Sequence, residues 1–191
     1  MSHLDIQERF GKKAYYLNED MLNIIGQEFE ASKIVEAFKS DKNPATFKNW
    51  GNKAAKRTVE LGTDPKYTDR TYEVMVEMFK KKGILKFPNI IQRFLEILYM
   101  ATNPQEEYQH LKCMENNSMA LRYQLKKGQC AIYEKLIEIC GENMASQLPC
   151  KEYCLEVAET ILKDNDIASY TVTQKLEMPK DGTCQFDIVK T

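Results

Sequence analysis

Up to about residue 110, apolar positions recur three and four apart, the spacing that lines them along one face of an α-helix. The first run is Met21, Leu22, Ile24, Ile25, Phe29, Ile34, Val35 and Phe38, with Asn18 or Asp20 placed to cap its start. Ser40-Asp41-Lys42-Asn43-Pro44 interrupts it, and Pro44 suits the first turn of a second helix. That helix carries Phe47, Trp50, Ala54, Val59 and Leu61, and Gly62 is placed to close it. Asp64-Pro65 marks a turn. A third helix is predicted from Thr68 to Lys82, ending at Gly83, with Tyr72, Val74, Met75, Met78 and Phe79 apolar. Pro88 opens a fourth over 89–101. Ile90, Ile91, Phe94, Leu95, Ile97, Leu98 and Tyr99 cover most of its circumference, which predicts a central position or a homodimer interface. Residues 106–112 read as a short polar helix.

Near residue 113 the period changes. Met119, Leu121, Tyr123 and Leu125 alternate with Ser118, Ala120, Arg122 and Gln124, the pattern of a half-buried strand. Lys126-Lys127-Gly128 breaks it. A helix over 129–140 follows, with Cys130, Tyr133, Leu136, Ile137 and Cys140 close to one face, and Gly141 ends it. Another is predicted over 149–163, where Cys150 and Cys154 sit one turn apart. Tyr170, Val172, Leu176 and Met178 then alternate with polar residues. Pro179-Lys180-Asp181-Gly182 reads as a hairpin turn, and Cys184, Phe186 and Ile188 resume the alternation with even-numbered residues inward. The fold class is α+β: a helical region, 1–112, then a cysteine-containing unit, 113–191. The second unit combines a small antiparallel sheet with two helices and ends in a β-hairpin.

With 191 residues the chain can bury about 70% of its unfolded surface without covalent staples. Lys plus Arg is 27 and Asp plus Glu is 28. No net positive field exists to hold nucleic acid or an anionic membrane. No apolar run approaches the ~20 residues of a membrane span. The start, Met1-Ser2-His3-Leu4-Asp5, lacks an apolar signal core, so the expected location is the cytoplasm.

All six cysteines, Cys113, Cys130, Cys140, Cys150, Cys154 and Cys184, fall in the second half. In the cytoplasm a disulfide framework is not expected, and no Cys-x-x-Cys pair occurs. The plain reading of each is a buried small hydrophobe. Two chemical readings compete with it. Cys130 and Cys150 lie at predicted helix starts, with Lys126, Lys127 and Lys151 near in sequence, and both features favour a thiolate nucleophile. Glu134, on the helix after Cys130, is the candidate general base. Alternatively Cys130, Cys150, Cys154 and Cys184 close a tetrahedral site for Zn or an iron–sulfur cluster. Of the two histidines, His3 is terminal and His110 is the one candidate base or haem ligand. Arg122 is suited to a carboxylate ligand, although it has the phase of the polar strand face. No Gly-rich phosphate loop occurs. Aromatic and methionine side chains could line a flat apolar cavity.

Gly128-Gln129-Cys130-Ala131-Ile132-Tyr133-Glu134 follows a strand and opens a helix. After it come Leu148-Pro149-Cys150 with Cys154, then Asp181-Gly182-Thr183-Cys184-Gln185-Phe186. Over about residues 114–190 this order resembles the L-2-amino-thiazoline-4-carboxylic acid hydrolase-like family. The Gly-x-Cys-x-Phe ending is similar to small-molecule-binding domains of the vinyl-reductase type. The resemblance implies that Cys130, Cys150 or Cys154, and Cys184 converge on one cavity. The candidate ligand-binding residues are Arg122, Tyr133, Cys154, Cys184 and Phe186. The resemblance also implies hydrolytic opening of a cyclic amidine or thiazoline, or a non-catalytic site for a tetrapyrrole or other small molecule.

Overall fold

The computed structural model describes residues 17–82, 87–103 and 112–191. His3, His110, the 106–111 part of the predicted polar helix and the Gly83 stop lie outside them.

The first apolar run folds as two helices rather than one, α1 (Glu19–Glu28) and α2 (Ala31–Asp41). Asn18 caps α1 through its side chain, accepting from the Met21 N–H at 3.1 Å. The helix stops at Phe29, whose N–H bonds to the Ile25 carbonyl while its backbone leaves the helical region. Periodicity misses this break because Phe29 and Ile34, on either side of it, are both buried in the core. The next helices are α3 (Ala45–Thr63), α4 (Arg70–Lys82) and α5 (Asn89–Thr102).

The second half holds strands β1 (Lys112–Asn116) and β2 (Ala120–Lys126), then helices α6 (Ala131–Cys140), α7 (Glu142–Ala145) and α8 (Lys151–Asp164). Strand β3 (Tyr170–Leu176), a one-turn helix α9 (Met178–Asp181) and strand β4 (Thr183–Lys190) complete it. The strands form one antiparallel sheet in the order β1-β2-β4-β3. The architecture is α+β. Strand β1 was not expected, because five residues, Lys-Cys-Met-Glu-Asn, are too short to display an alternation. The connection between β3 and β4 also differs from a tight turn. Met178 is buried, and the chain makes a helical turn around it before Gly182, in the left-handed region at φ 64°, releases it into β4. The two strands pair antiparallel all the same.

One hydrophobic cluster runs from Met21 to Ile188 and draws on both halves of the chain. Its centre is α5, in which every residue from Ile90 to Met100 is buried. That corrects the alternative of a dimer interface over 89–101, since this helix has no face left to offer a partner. Around it α1 packs on α5, α2 on α6 and, most extensively, α3 on α8. At the last contact Gly51 lets the two backbones approach closely. Asn52 of α3 donates to Glu156 and Thr160 of α8, each at 3.0 Å. No helix among the described residues is long and apolar enough to cross a membrane.

Candidate functional site

Strand alternation aims Tyr123 and Leu125 of β2 and Cys184, Phe186 and Ile188 of β4 at the helices. The register pairs Tyr123 with Phe186 and Leu125 with Cys184. The Tyr123 and Phe186 rings stack with centroids 5.4 Å apart. Above this face come the start of α6, with Cys130 at its N-cap, and the start of α8, with Cys150 at its N-cap and Tyr153 and Cys154 in its first turn. Tyr99 descends from α5, its hydroxyl 3.5 Å from that of Tyr123.

The structure brings Cys130, Cys150, Cys154 and Cys184 together. Each of the four interacts electrostatically with the other three. Tyr99 hydrogen-bonds to the Cys154 sulfur, and Gln174 Nε2 donates to Cys184 Sγ at 3.4 Å. Tyr153 lies within electrostatic reach of Cys154 and Cys130. Tyr133 is buried nearby and interacts with Cys150.

Burial decides the chemistry of these thiols. It pushes Cys130 up to about 12, against the opposing pull of the Tyr133 and Ile132 backbone N–H groups at the start of α6. It raises Cys150 as well, with the Cys130 and Cys184 thiols adding to the effect, and the backbone N–H groups of Cys150 and Lys151 only partly oppose it. Cys154 is raised well above the ordinary thiol range, first by burial and then by Cys130. Cys184 is raised by burial too. At both helix starts the backbone N–H groups favour the anion, but desolvation by burial outweighs them. The lysines do not help. Lys127 Nζ pairs with Glu142 at 2.8 Å and Lys151 Nζ with Glu177 at 3.2 Å. The phenols of Tyr99, Tyr123 and Tyr153 are raised by burial in the same way. At neutral pH the cluster is an uncharged surface of thiols and hydroxyls.

This has a measurable consequence. A thiol that stays protonated to about 12 in the folded chain ionises near 9 once unfolded. Above pH ~9 the folded state therefore holds more protons, and stability falls by up to about 1.4 kcal/mol per pH unit for each such thiol. Iodoacetamide labelling of the native protein, read by peptide mass spectrometry, should leave Cys130, Cys150, Cys154 and Cys184 nearly unmodified at pH 7.5. Labelling should climb with pH to beyond pH 10 with no plateau. Rapid modification of Cys130 or Cys150 at neutral pH would contradict this picture.

Other candidates lie elsewhere. Arg122 projects from the opposite face of the sheet, where it pairs with Glu115 at 2.5 Å and Asp187 at 3.3 Å, and so does not join the thiols. Glu134 accepts from the Gly128 N–H at 2.9 Å and closes the exposed turn before α6, a structural use of the carboxylate proposed as a base. Phe186 is in the cluster as a stacking partner of Tyr123. Among the described residues no group of three or more His, Cys, Asp or Glu is arranged to hold a metal ion. Although they are neighbours, the four cysteines do not make up such a group.

Several polar residues were not foreseen. Gln92, Arg93 and Glu96 are all buried on α5. Gln92 donates to Glu96 at 2.9 Å, and Asn116 of β1 donates to Gln92. The one available signal was the Gln92–Glu96 spacing of four inside an otherwise apolar helix. Tyr153 is 3% exposed, and its hydroxyl has no hydrogen-bond partner among the described residues. A separate open groove of about 610 Å³ runs between the end of α8 and β3, lined in part by Leu162, Lys163, Ile167, Tyr170 and Val172. It contains no thiol.

Comparison with protein-family models, with curated proteins and with solved structures gave no match.

Proposed function

We propose that this chain is a cytoplasmic, non-catalytic small-molecule-binding module whose site is the thiol–tyrosine cluster between the sheet and the starts of α6 and α8. The observation that carries the reading is the Tyr153 hydroxyl, buried without a partner beside four protonated thiols. A buried hydroxyl left unpaired costs ~1–3 kcal/mol, which a ligand acceptor would recover. The surrounding Tyr99, Tyr123 and Phe186 rings give the cluster an aromatic, mostly apolar wall, and a flat apolar molecule such as a tetrapyrrole is the ligand class we propose for it. A hydrolytic role would need a thiolate or a free carboxylate here. Burial disfavours the first, and Glu134, the carboxylate considered as a base, is bonded to backbone. All six cysteines are free.

The test is an absorbance titration with protoporphyrin IX and with hemin, run beside a turnover assay on 2-amino-thiazoline-4-carboxylate. Saturable one-to-one porphyrin binding, weakened roughly tenfold by Tyr153→Phe, is the expected result. Steady hydrolysis of the thiazoline, lost in Cys130→Ser or Cys150→Ser, would overturn the proposal in favour of the enzyme.

A further inference from the structure

Gln174 of β3 brings a second bare hydrogen-bonding atom to the thiol cluster. It shares the half-buried strand face with Tyr170, Val172 and Leu176. Its Nε2 donates to the Cys184 sulfur at 3.4 Å. The same sulfur accepts from the Met178 backbone N–H. The donor end of the Gln174 amide is thereby used. The acceptor end is not: Oε1 is buried and has no hydrogen-bond partner among the described residues. The Tyr153 hydroxyl is in the same condition, within electrostatic reach of Cys154 and Cys130. The two atoms have opposite needs. The phenol has a proton to give, and an amide oxygen can only receive one. The neighbouring thiols are weak donors and weak acceptors, poor partners for either. Val172, the preceding residue on the Gln174 face of β3, lines the open groove of about 610 Å³. That is the volume of a small-molecule site, and Gln174 is the next inward residue of β3 after it.

We propose that the ligand of this site is a flat lactam, a cyclic amide that offers a carbonyl to the Tyr153 hydroxyl and an N–H to Gln174 Oε1, and that Gln174 selects it. This assignment rests on the thiol–tyrosine cluster being a small-molecule site, and it adds the functional groups that the ligand carries. Tyr153 alone asks only for an acceptor, which any carbonyl or carboxylate supplies. Gln174 asks for a donor as well. A ligand with acceptors only would leave Oε1 buried and unpaired, and a purely apolar one would leave both atoms so. A carboxylate would set its charge against Oε1 in surroundings where burial disfavours anions. Tyr153 and Gln174 come from different elements, α8 and β3, so the ligand needs its acceptor and its donor on separate atoms. A lactam has both, is neutral, and holds them in a plane that packs against the Tyr99, Tyr123 and Phe186 rings.

Absorbance titrations of the full-length protein with two flat tetrapyrroles test this. Biliverdin is an open chain that ends in two lactam rings. Protoporphyrin IX carries the same pair of propionates but no lactam, and its N–H groups face its own centre. The wild type should bind biliverdin about tenfold tighter than protoporphyrin IX, or more. Gln174→Met keeps the length of the side chain and removes the amide. It should weaken biliverdin about tenfold and leave protoporphyrin IX within about twofold of the wild type. A wild type that binds protoporphyrin IX as tightly as biliverdin overturns the lactam assignment and leaves the binding site standing. A Gln174→Met protein that keeps the preference, or that weakens both ligands alike, overturns the selecting role of Gln174. Binding of neither ligand overturns the reading of the cluster as a small-molecule site, and this inference with it.

Discussion

Replacing Gly51 by alanine should destabilise the protein by about 2–4 kcal/mol, against the usual gain from removing a glycine inside a helix. A Cβ at Gly51 would stand 2.5 Å from the Tyr153 carbonyl oxygen, 3.1 Å from its Cα and 3.2 Å from the Glu156 Cβ. The nearest obstacles are backbone atoms, which cannot rotate away, so α3 and α8 must move apart. That separation strains the bonds from Asn52 to Glu156 and Thr160, which tie the same two helices. It also shifts the start of α8, which carries Cys150, Tyr153 and Cys154, so site and stability should fail together. Gly62 provides the internal control. A Cβ there meets the Phe94 and Ile97 side chains at 2.8 and 3.1 Å, and side chains can give way. Gly62→Ala should therefore cost less than Gly51→Ala in urea unfolding, with both slopes close to the wild type. A Gly51→Ala protein as stable as the wild type would refute this account of the helix contact.

The same contact explains which parts of the fold could be read from the chain. Helices such as α5 and α8 were legible because burial on one side, or all round, is written directly as residue type at helical spacing. Phe29 shows the limit. It continues the apolar run, yet it ends α1, because a helix break that keeps both flanking faces on one core leaves the periodicity intact. Strand β1 is visible only through its pairing with β2. In the site, the inward phase of Cys184 and Phe186 and the outward phase of Arg122 were both readable from alternation. The protonation of the thiols was not. A helix start and a neighbouring lysine are local features that predict a lowered value, whereas desolvation depends on what other segments cover. Tyr99 of α5 and Tyr153 of α8 supply part of that cover, and neither has any sequence mark connecting it to Cys130. The buried Arg93 was equally hidden, since an arginine beside Gln92 and Glu96 in an otherwise apolar helix reads as part of a solvent-facing edge.

Arg93 should prove the most demanding side chain of α5. It is 1% exposed, donates from Nη1 to the Gly62 carbonyl at 2.7 Å, and lays its guanidinium plane between the Tyr72 ring at 3.9 Å and the Phe94 ring at 5.6 Å. Arg93→Ala removes a large buried side chain and strips the Gly62 carbonyl of that donor, for an expected loss of about 3–5 kcal/mol. Arg93→Met keeps most of the stem volume but not the donor, and should lose about 1–3 kcal/mol. Arg93→Lys keeps the charge without the planar fork that stacks on Tyr72, so it should not restore wild-type stability. Urea midpoints of the three variants check this order, and an alanine variant milder than the methionine one would show that the side chain is not packed as described. The arginine also connects the core to α4, because Tyr72 is the anchor on which it rests. Any variant that folds but frees Tyr72 should loosen α4.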